Sequence, residues 1–276
     1  MIVVTGANGQ LGNELRLILK DKASYLDFDD LDITDMNAVE AFFDGKDVEA
    51  IINCAAYTAV DKAESDKELS YDVNVKGPLN LAKTGVSLVH ISTDYVFDGE
   101  SCRPYVESDE TCPMSVYGET KLLGERAVFD NASSCFVIRT SWLYSAFGNN
   151  FVKTMRKLGA EKESLNVVFD QIGTPTNARD LARTIVLMLP YLKGKKELYH
   201  FSNEGVCSWY DFAKEIMDLA GLKCKVLPIE GRDYPTPAKR PFYSVLNKAK
   251  IKKDFEIEIN HWKDSLREYF NNAKGE

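Results

Sequence analysis

The stretch Ile2-Val3-Val4-Thr5-Gly6-Ala7-Asn8-Gly9-Gln10-Leu11-Gly12 decides the fold of this 276-residue chain. Its first four residues are a β-branched run, a glycine turn follows, and Leu11, Leu15, Ile18 and Leu19 then recur on one helical face. Strand, turn and helix adjoin directly. Lacking Cβ atoms, Gly6, Gly9 and Gly12 let the backbone turn tightly, approach a pyrophosphate and pack the helix against the strand. The amides at the helix start are the natural seat of that anion.

Outward from this point the rhythm repeats. Extended stretches at 24–28, 49–53, 88–93 and 136–139 alternate with helical patterns at 35–44, 64–84 and 115–128, which predicts parallel pairing and right-handed crossovers. The strands are nearly continuous in apolar residues, as in a sheet covered on both faces. Beyond Tyr144 the alternation loosens into helices at 149–158, 178–189 and 208–220, a strand at 166–169 and a proline-rich stretch at 228–241. The expected fold is α/β. A doubly wound parallel (Rossmann) sheet takes residues 1–145 and 166–200, and a smaller α/β lobe of residues 146–165 and 201–276 closes over its carboxyl edge, where such sheets bind ligands.

Composition narrows the function. With 45% hydrophobic and 28% charged residues the chain is an ordinary globular protein, neither disordered nor fibrous. A net charge of −8 offers a nucleic-acid backbone no long-range attraction, and the run Lys248, Lys250, Lys252 and Lys253 reads as a solvated face. The six cysteines form no CxxC pair and have no histidine at zinc-ligand spacing, so they read as free thiols in a reducing cytoplasm. No apolar run approaches the ~18 residues that span a bilayer, and no basic segment precedes the first strand, so membrane insertion and secretion are disfavoured.

An acid is expected about 20 residues beyond the glycine turn to hold the adenosine ribose. Asp27 stands there, beside Asp29 and Asp30, and no Lys or Arg lies between Ala23 and Gly45. A 2′-phosphate meets repulsion at that point, so the sequence leans towards NADH over NADPH. Further on, Tyr117-Gly118-Glu119-Thr120-Lys121 puts a phenol and an ammonium on one helical face, and Ser92-Thr93 end a strand at the sheet's carboxyl edge. Thr93, Tyr117 and Lys121 form a hydroxyl, an acid and a cation around one carbonyl. An ammonium near a phenol of ordinary pKa ~10 eases proton donation. His90, in an apolar strand, and Cys54, after one, read as packing residues.

On these residues the chain resembles the extended short-chain dehydrogenase/reductases, and among them the dTDP-4-dehydrorhamnose reductase family. The similarity runs through Gly9-Gln10-Leu11-Gly12, Leu31-Asp32-Ile33-Thr34, Ala55-Ala56-Tyr57-Thr58-Ala59-Val60-Asp61, Ser92-Thr93-Asp94-Tyr95-Val96-Phe97, Arg139-Thr140-Ser141-Trp142, Gly148-Asn149-Asn150-Phe151, Ser208-Trp209-Tyr210-Asp211-Phe212-Ala213 and Tyr234-Pro235-Thr236-Pro237-Ala238-Lys239-Arg240-Pro241. It covers essentially the whole chain.

The resemblance implies reduction of a 4-keto nucleotide sugar by NADPH or NADH, with Tyr117 protonating the alkoxide, Lys121 binding the nicotinamide ribose and favouring phenolate, and Thr93 holding the carbonyl. It places Asn8, Gln10, Leu11, Asp32, Ile33, Ala55, Ala56, Tyr57 and Asn74 on the cofactor side with the three glycines and Asp27. Thr58, Val60, Tyr95 and Trp142 fall on the sugar side, and Lys239 and Arg240 at the diphosphate. Many relatives use NADPH, against the lean of Asp27. Some form Mg²⁺-bridged homodimers through acids of the kind of Glu14, but no ligand cluster commits this sequence to a metal.

Three rivals share the fold. Nucleotide-sugar 4,6-dehydratases carry Asp-Glu after the Thr, where this chain has Asp94-Tyr95, and a tyrosine cannot serve as the carboxylate base. The 4-epimerases usually have longer chains. A regulatory subunit of methionine adenosyltransferase type needs no catalytic set, and here Thr93, Tyr117 and Lys121 are intact.

Overall fold

A computed structural model describes residues 1–272. The chain begins with β1 (Ile2–Thr5), α1 (Gln10–Leu19), β2 (Ala23–Leu26), α2 (Met36–Phe43) and β3 (Ala50–Asn53). A broken helical segment follows: α3 (Val60–Ala63), α4 (Lys67–Tyr71), a π-helical turn at Asp72–Lys76 and α5 (Gly77–Lys83). Next come β4 (Ser87–Thr93), α6 (Val116–Asn131), β5 (Cys135–Thr140), β6 (Leu143–Tyr144), α7 (Phe151–Glu161), β7 (Ser164–Val168), β8 (Ile172–Gly173) and β9 (Thr176–Asn177). The chain continues through α8 (Ala178–Met188), β10 (Lys196–His200), β11 (Cys207–Ser208), α9 (Trp209–Ala220), β12 (Lys225–Ile229), α10 (Ala249–Phe255) and α11 (Trp262–Asn272).

Six strands form one parallel sheet in the order β2-β1-β3-β4-β5-β10. Neighbouring residues on each strand supply opposite faces. Val4, Ile52, Val89 and Ile138 pack under α1, α8 and α10, while Val3, Ile51, Leu88 and Val137 pack under α2, α5 and α6. The strand order reverses between β1 and β3, so the glycine turn after β1 opens onto the crevice of the switch point.

A second core joins Tyr144, α7, β7, α9, β12 and α11 around Phe212, Ile216, Trp262 and Leu266. β7 pairs with β12, not with the large sheet, and Leu165 and Val167 sit in this second core. That moves the start of the expected 166–200 segment: β7 packs with the smaller lobe, whereas α8 and β10 pack with the sheet. The helix expected over 64–84 is interrupted at the π-turn, where Asn74 is fully buried. Lys248, Lys250 and Lys252 are paired with Glu204 and Glu197, and Lys248 is buried, so this run is an ion-paired seam between α10 and the strand edge. Among the described residues no helix is long and apolar enough to cross a membrane, and all six thiols are unpaired.

Candidate active site

The site is built where β4 ends and α6 begins. Thr93 closes β4; its Oγ1 accepts the Tyr95 N–H at 3.3 Å, capping the turn Asp94–Val96, and donates to Asp94 Oδ1 at 3.0 Å. Ser115 caps α6 by accepting the Gly118 N–H at 3.2 Å. The helix then lies unusually close to its neighbours, because a Cβ on Gly118 would strike the Tyr95 carbonyl and one on Gly124 the Asn74 carbonyl. That close approach carries Tyr117 and Lys121 to Thr93. The Tyr117 phenol faces Thr93, and the Lys121 ammonium, 1% exposed, donates to the Ile91 carbonyl at 2.6 Å.

Burial sets the proton affinities here. It holds the Tyr117 phenol far above its ordinary range, outweighing the lowering influence of the nearby Thr93 hydroxyl. It brings Lys121 down to about 8, against the raising influence of the Glu125 carboxylate and the Cys54 thiol. It pushes Asp94 up to about 6, against the hydrogen bond from Thr93. Among the described residues no hydrogen bond joins Lys121 to Tyr117; the ammonium is held instead by the β4 backbone.

On the other side of the edge, Gly6 turns at φ +64°, and a Cβ there would lie 2.5 Å from the Ala55 nitrogen. A Cβ on Gly12 would come within 2.5 Å of the Gly6 carbonyl. These two glycines let β1, β3 and α1 meet. Gly9 is the N-cap of α1 and no side chain caps it, so the first amides of the helix are left for an anion. The residues fit a dinucleotide.

Asp27 follows β2 as expected, its Oδ2 accepting the Asn8 N–H at 2.8 Å and its Oδ1 the Phe28 N–H at 2.9 Å. The sequence left this corner without a cation; the fold supplies one. Arg16, on α1, reaches Asn8 Oδ1 with Nη2 at 3.5 Å and lies 5.1 Å above the Tyr25 ring. Asp32 Oδ1 is held by Thr34, and Ile33 is buried beneath Gly77. Asn74 serves the wall from behind: its Oδ1 accepts the Tyr57 N–H at 2.9 Å and its Nδ2 donates to Thr120 Oγ1 at 3.1 Å. A π-turn places it there, as such turns often do at functional sites. His90 is packed as expected, 3.1 Å from the Asn53 amide.

Between the lobes lies a cavity of about 760 Å³ lined by Asp61, Tyr95, Phe151, Leu165, Asn166, Gln171, Trp209, Tyr234 and Arg240. The Tyr95 ring packs edge-on against Tyr117 at 5.4 Å, which joins the cavity to the Thr93 corner. Arg240 donates to the Tyr95 hydroxyl at 3.0 Å and to Asp61 at 2.6 Å. Of the residues expected on the substrate side, Tyr95 and Arg240 line the cavity. Trp142 stacks behind Trp209 with ring centroids 3.5 Å apart, in a left-handed backbone conformation at φ +47° that a bulky side chain seldom adopts. Lys239 pairs with Glu100 at 3.4 Å, outside the cavity lining, and Thr58 and Val60 likewise do not line it. Phe151 and Trp209 lie within motifs shared with the family; Asn166 and Gln171 carry no sequence signal. Glu14 is buried on α1 and paired with Arg179 at 3.1 Å.

Fold and site together define a nicotinamide-dependent reductase of the extended short-chain type. The family model described as RmlD substrate binding domain matches residues 1–274. A dTDP-4-dehydrorhamnose reductase of Aggregatibacter actinomycetemcomitans is 41% identical, over 96% of this chain and 97% of its own. A solved dTDP-4-dehydrorhamnose reductase from Clostridium acetobutylicum superposes with a TM-score of 0.95 at 46% identity, covering 99% of both chains. One from Bacillus anthracis, in complex with NADP, gives 0.94 at 39%, covering 98% of both. The chain belongs to the RmlD family, that of the dTDP-4-dehydrorhamnose reductases.

Proposed function

We propose that this protein reduces the 4-keto group of dTDP-4-dehydro-L-rhamnose to dTDP-L-rhamnose, the last step of dTDP-rhamnose biosynthesis, in the cytoplasm and without a nucleic-acid or membrane partner. The observation that carries the reading is the set of buried Thr93 and Lys121 with half-buried Tyr117, which meets the interlobe cavity at Tyr95. A bound reduced nicotinamide supplies the hydride. Tyr117, kept protonated by burial, gives its proton to the oxygen of the former carbonyl as the C–H bond forms. The phenolate so formed is left beside Thr93, and Lys121, one helical turn further along α6, is the cation proposed to favour it.

Thr93 has one proton to donate. In the structure it goes to Asp94, so holding a substrate carbonyl requires that the hydroxyl turn from Asp94 towards the cavity. The aromatic walls at Phe151 and Trp209 suit a base or sugar face, and Arg240 supplies positive charge for the diphosphate. Dehydration is a poorer reading, because the place of its carboxylate base is taken by Tyr95, whose phenol burial holds above the ordinary range.

The test follows absorbance at 340 nm with the dTDP-4-keto sugar generated in situ, and with NADPH and NADH in parallel. Oxidation that requires the sugar supports the reading; cofactor binding without oxidation rejects this substrate. Asp27 bears on the choice of cofactor: Asp27→Ala is expected to weaken NADH on the order of tenfold and NADPH less, since a lost charge-assisted hydrogen bond to the ribose 2′-hydroxyl is worth about 1.5–3 kcal/mol. Equal losses in titrations of the two would show that Asp27 does not touch the 2′ position.

A further inference from the structure

We infer that Arg16 is the seat of the cofactor's 2′-phosphate and gives this protein its capacity for NADPH. The inference rests on the nicotinamide reading of the site and goes beyond it by naming the residue that selects the cofactor. In a doubly wound sheet the adenosine ribose lies at the carboxyl end of the second strand. Here that point is marked by Asp27, whose carboxylate grips the Asn8 amide, while the Asn8 side chain is met by Arg16 Nη2 at 3.5 Å. Asp27, Asn8 and Arg16 therefore converge on the place where the 2′ substituent of the ribose falls.

Arg16 is also prepared for an anion. Its guanidinium lies 5.1 Å above the ring of Tyr25 near the end of β2, a contact that holds the cation without neutralising it. Among the described residues it forms no ion pair, although its helix neighbour Glu14 is committed to Arg179. The acids that argued against a phosphate are partly occupied: both Asp27 oxygens accept backbone amides, and Asp30 Oδ2 accepts the Asp27 N–H at 2.9 Å. A planar fork matches phosphate oxygens in a way a lysine does not. Spacing along the sequence hides this, because Arg16 precedes β2 and arrives from α1.

The test titrates full-length protein with NADPH and with NADH by nicotinamide fluorescence, for the natural chain, Arg16→Gln and Arg16→Lys. The ratio of NADPH to NADH affinity is expected to fall at least tenfold in Arg16→Gln, with Arg16→Lys between it and the natural chain. A ratio unchanged in Arg16→Gln overturns the inference while leaving the nicotinamide reading intact. Failure of the natural chain to bind either dinucleotide overturns both. Arg16 is exposed, so both variants are expected to fold.

Discussion

Tyr117→Phe is expected to lower kcat by about 10²–10⁴-fold, the range for loss of a general acid, while cofactor affinity changes little. The substitution removes one oxygen from a ring that keeps its edge-on contact with Tyr95, so the cavity and the path of α6 are preserved. What disappears is the proton. With the phenol pushed well above its ordinary range by burial, Tyr117 stays protonated through the whole working range and is poised to give a proton, not to take one. Normal turnover in the variant would mean that the proton comes from elsewhere. The lysine adds a pH signature. With Lys121 brought down to about 8 by burial, the ammonium is present below that pH and lost above it. kcat/KM should therefore fall as pH rises through about 8, and Lys121→Met, slow throughout, should lack that limb.

How much of this was legible in the sequence divides along physical lines. The glycine turn was fully legible, because Gly6 and Gly12 answer to local sterics that any strand-turn-helix must meet. The central strands β1, β3, β4 and β5 were legible because each is apolar on both faces, and Val3/Val4 and Ile51/Ile52 pack on opposite sides as that pattern requires, whereas the edge strand β10 opens on Lys196-Glu197 and gives no such signal. The helix over 64–84 was read as continuous, since helical periodicity does not register the one-residue expansion at Asp72–Lys76 that turns Asn74 inwards. The cavity was the least legible part. Asn166 and Gln171 reach it through the pairing of β7 with β12, a contact between segments about 60 residues apart, and Trp142 leaves its face to Trp209 by stacking behind it. Pairings of that kind are settled by tertiary packing, and no local spacing encodes them.

The other large effect is expected at Glu125, one helical turn beyond Lys121. Its Oε1 accepts the Ser92 hydroxyl at 2.5 Å and Arg139 Nε at 2.8 Å, its Oε2 accepts Arg139 Nη2 at 2.7 Å, and both charged side chains are 4% exposed or less. This clamp fastens α6 to β4 and β5 beside Thr93. Glu125→Gln leaves Arg139 charged, buried and without its counterion, a change that typically costs about 3–5 kcal/mol. For a chain of this size that lowers Tm by on the order of 10 °C, measured by calorimetry or circular dichroism. Glu125→Leu combined with Arg139→Met removes both charges and should recover most of the loss, because the desolvation penalty of the pair goes with its attraction. An additive double variant would show that the two side chains are not coupled. The clamp also reaches the chemistry. Burial depresses Lys121 and the Glu125 carboxylate partly restores it, so in Glu125→Gln the alkaline fall in kcat/KM should move to lower pH. A Tm loss with an unmoved pH limb would confine Glu125 to holding the fold; movement of both makes it the residue through which packing of α6 sets the charge of Lys121.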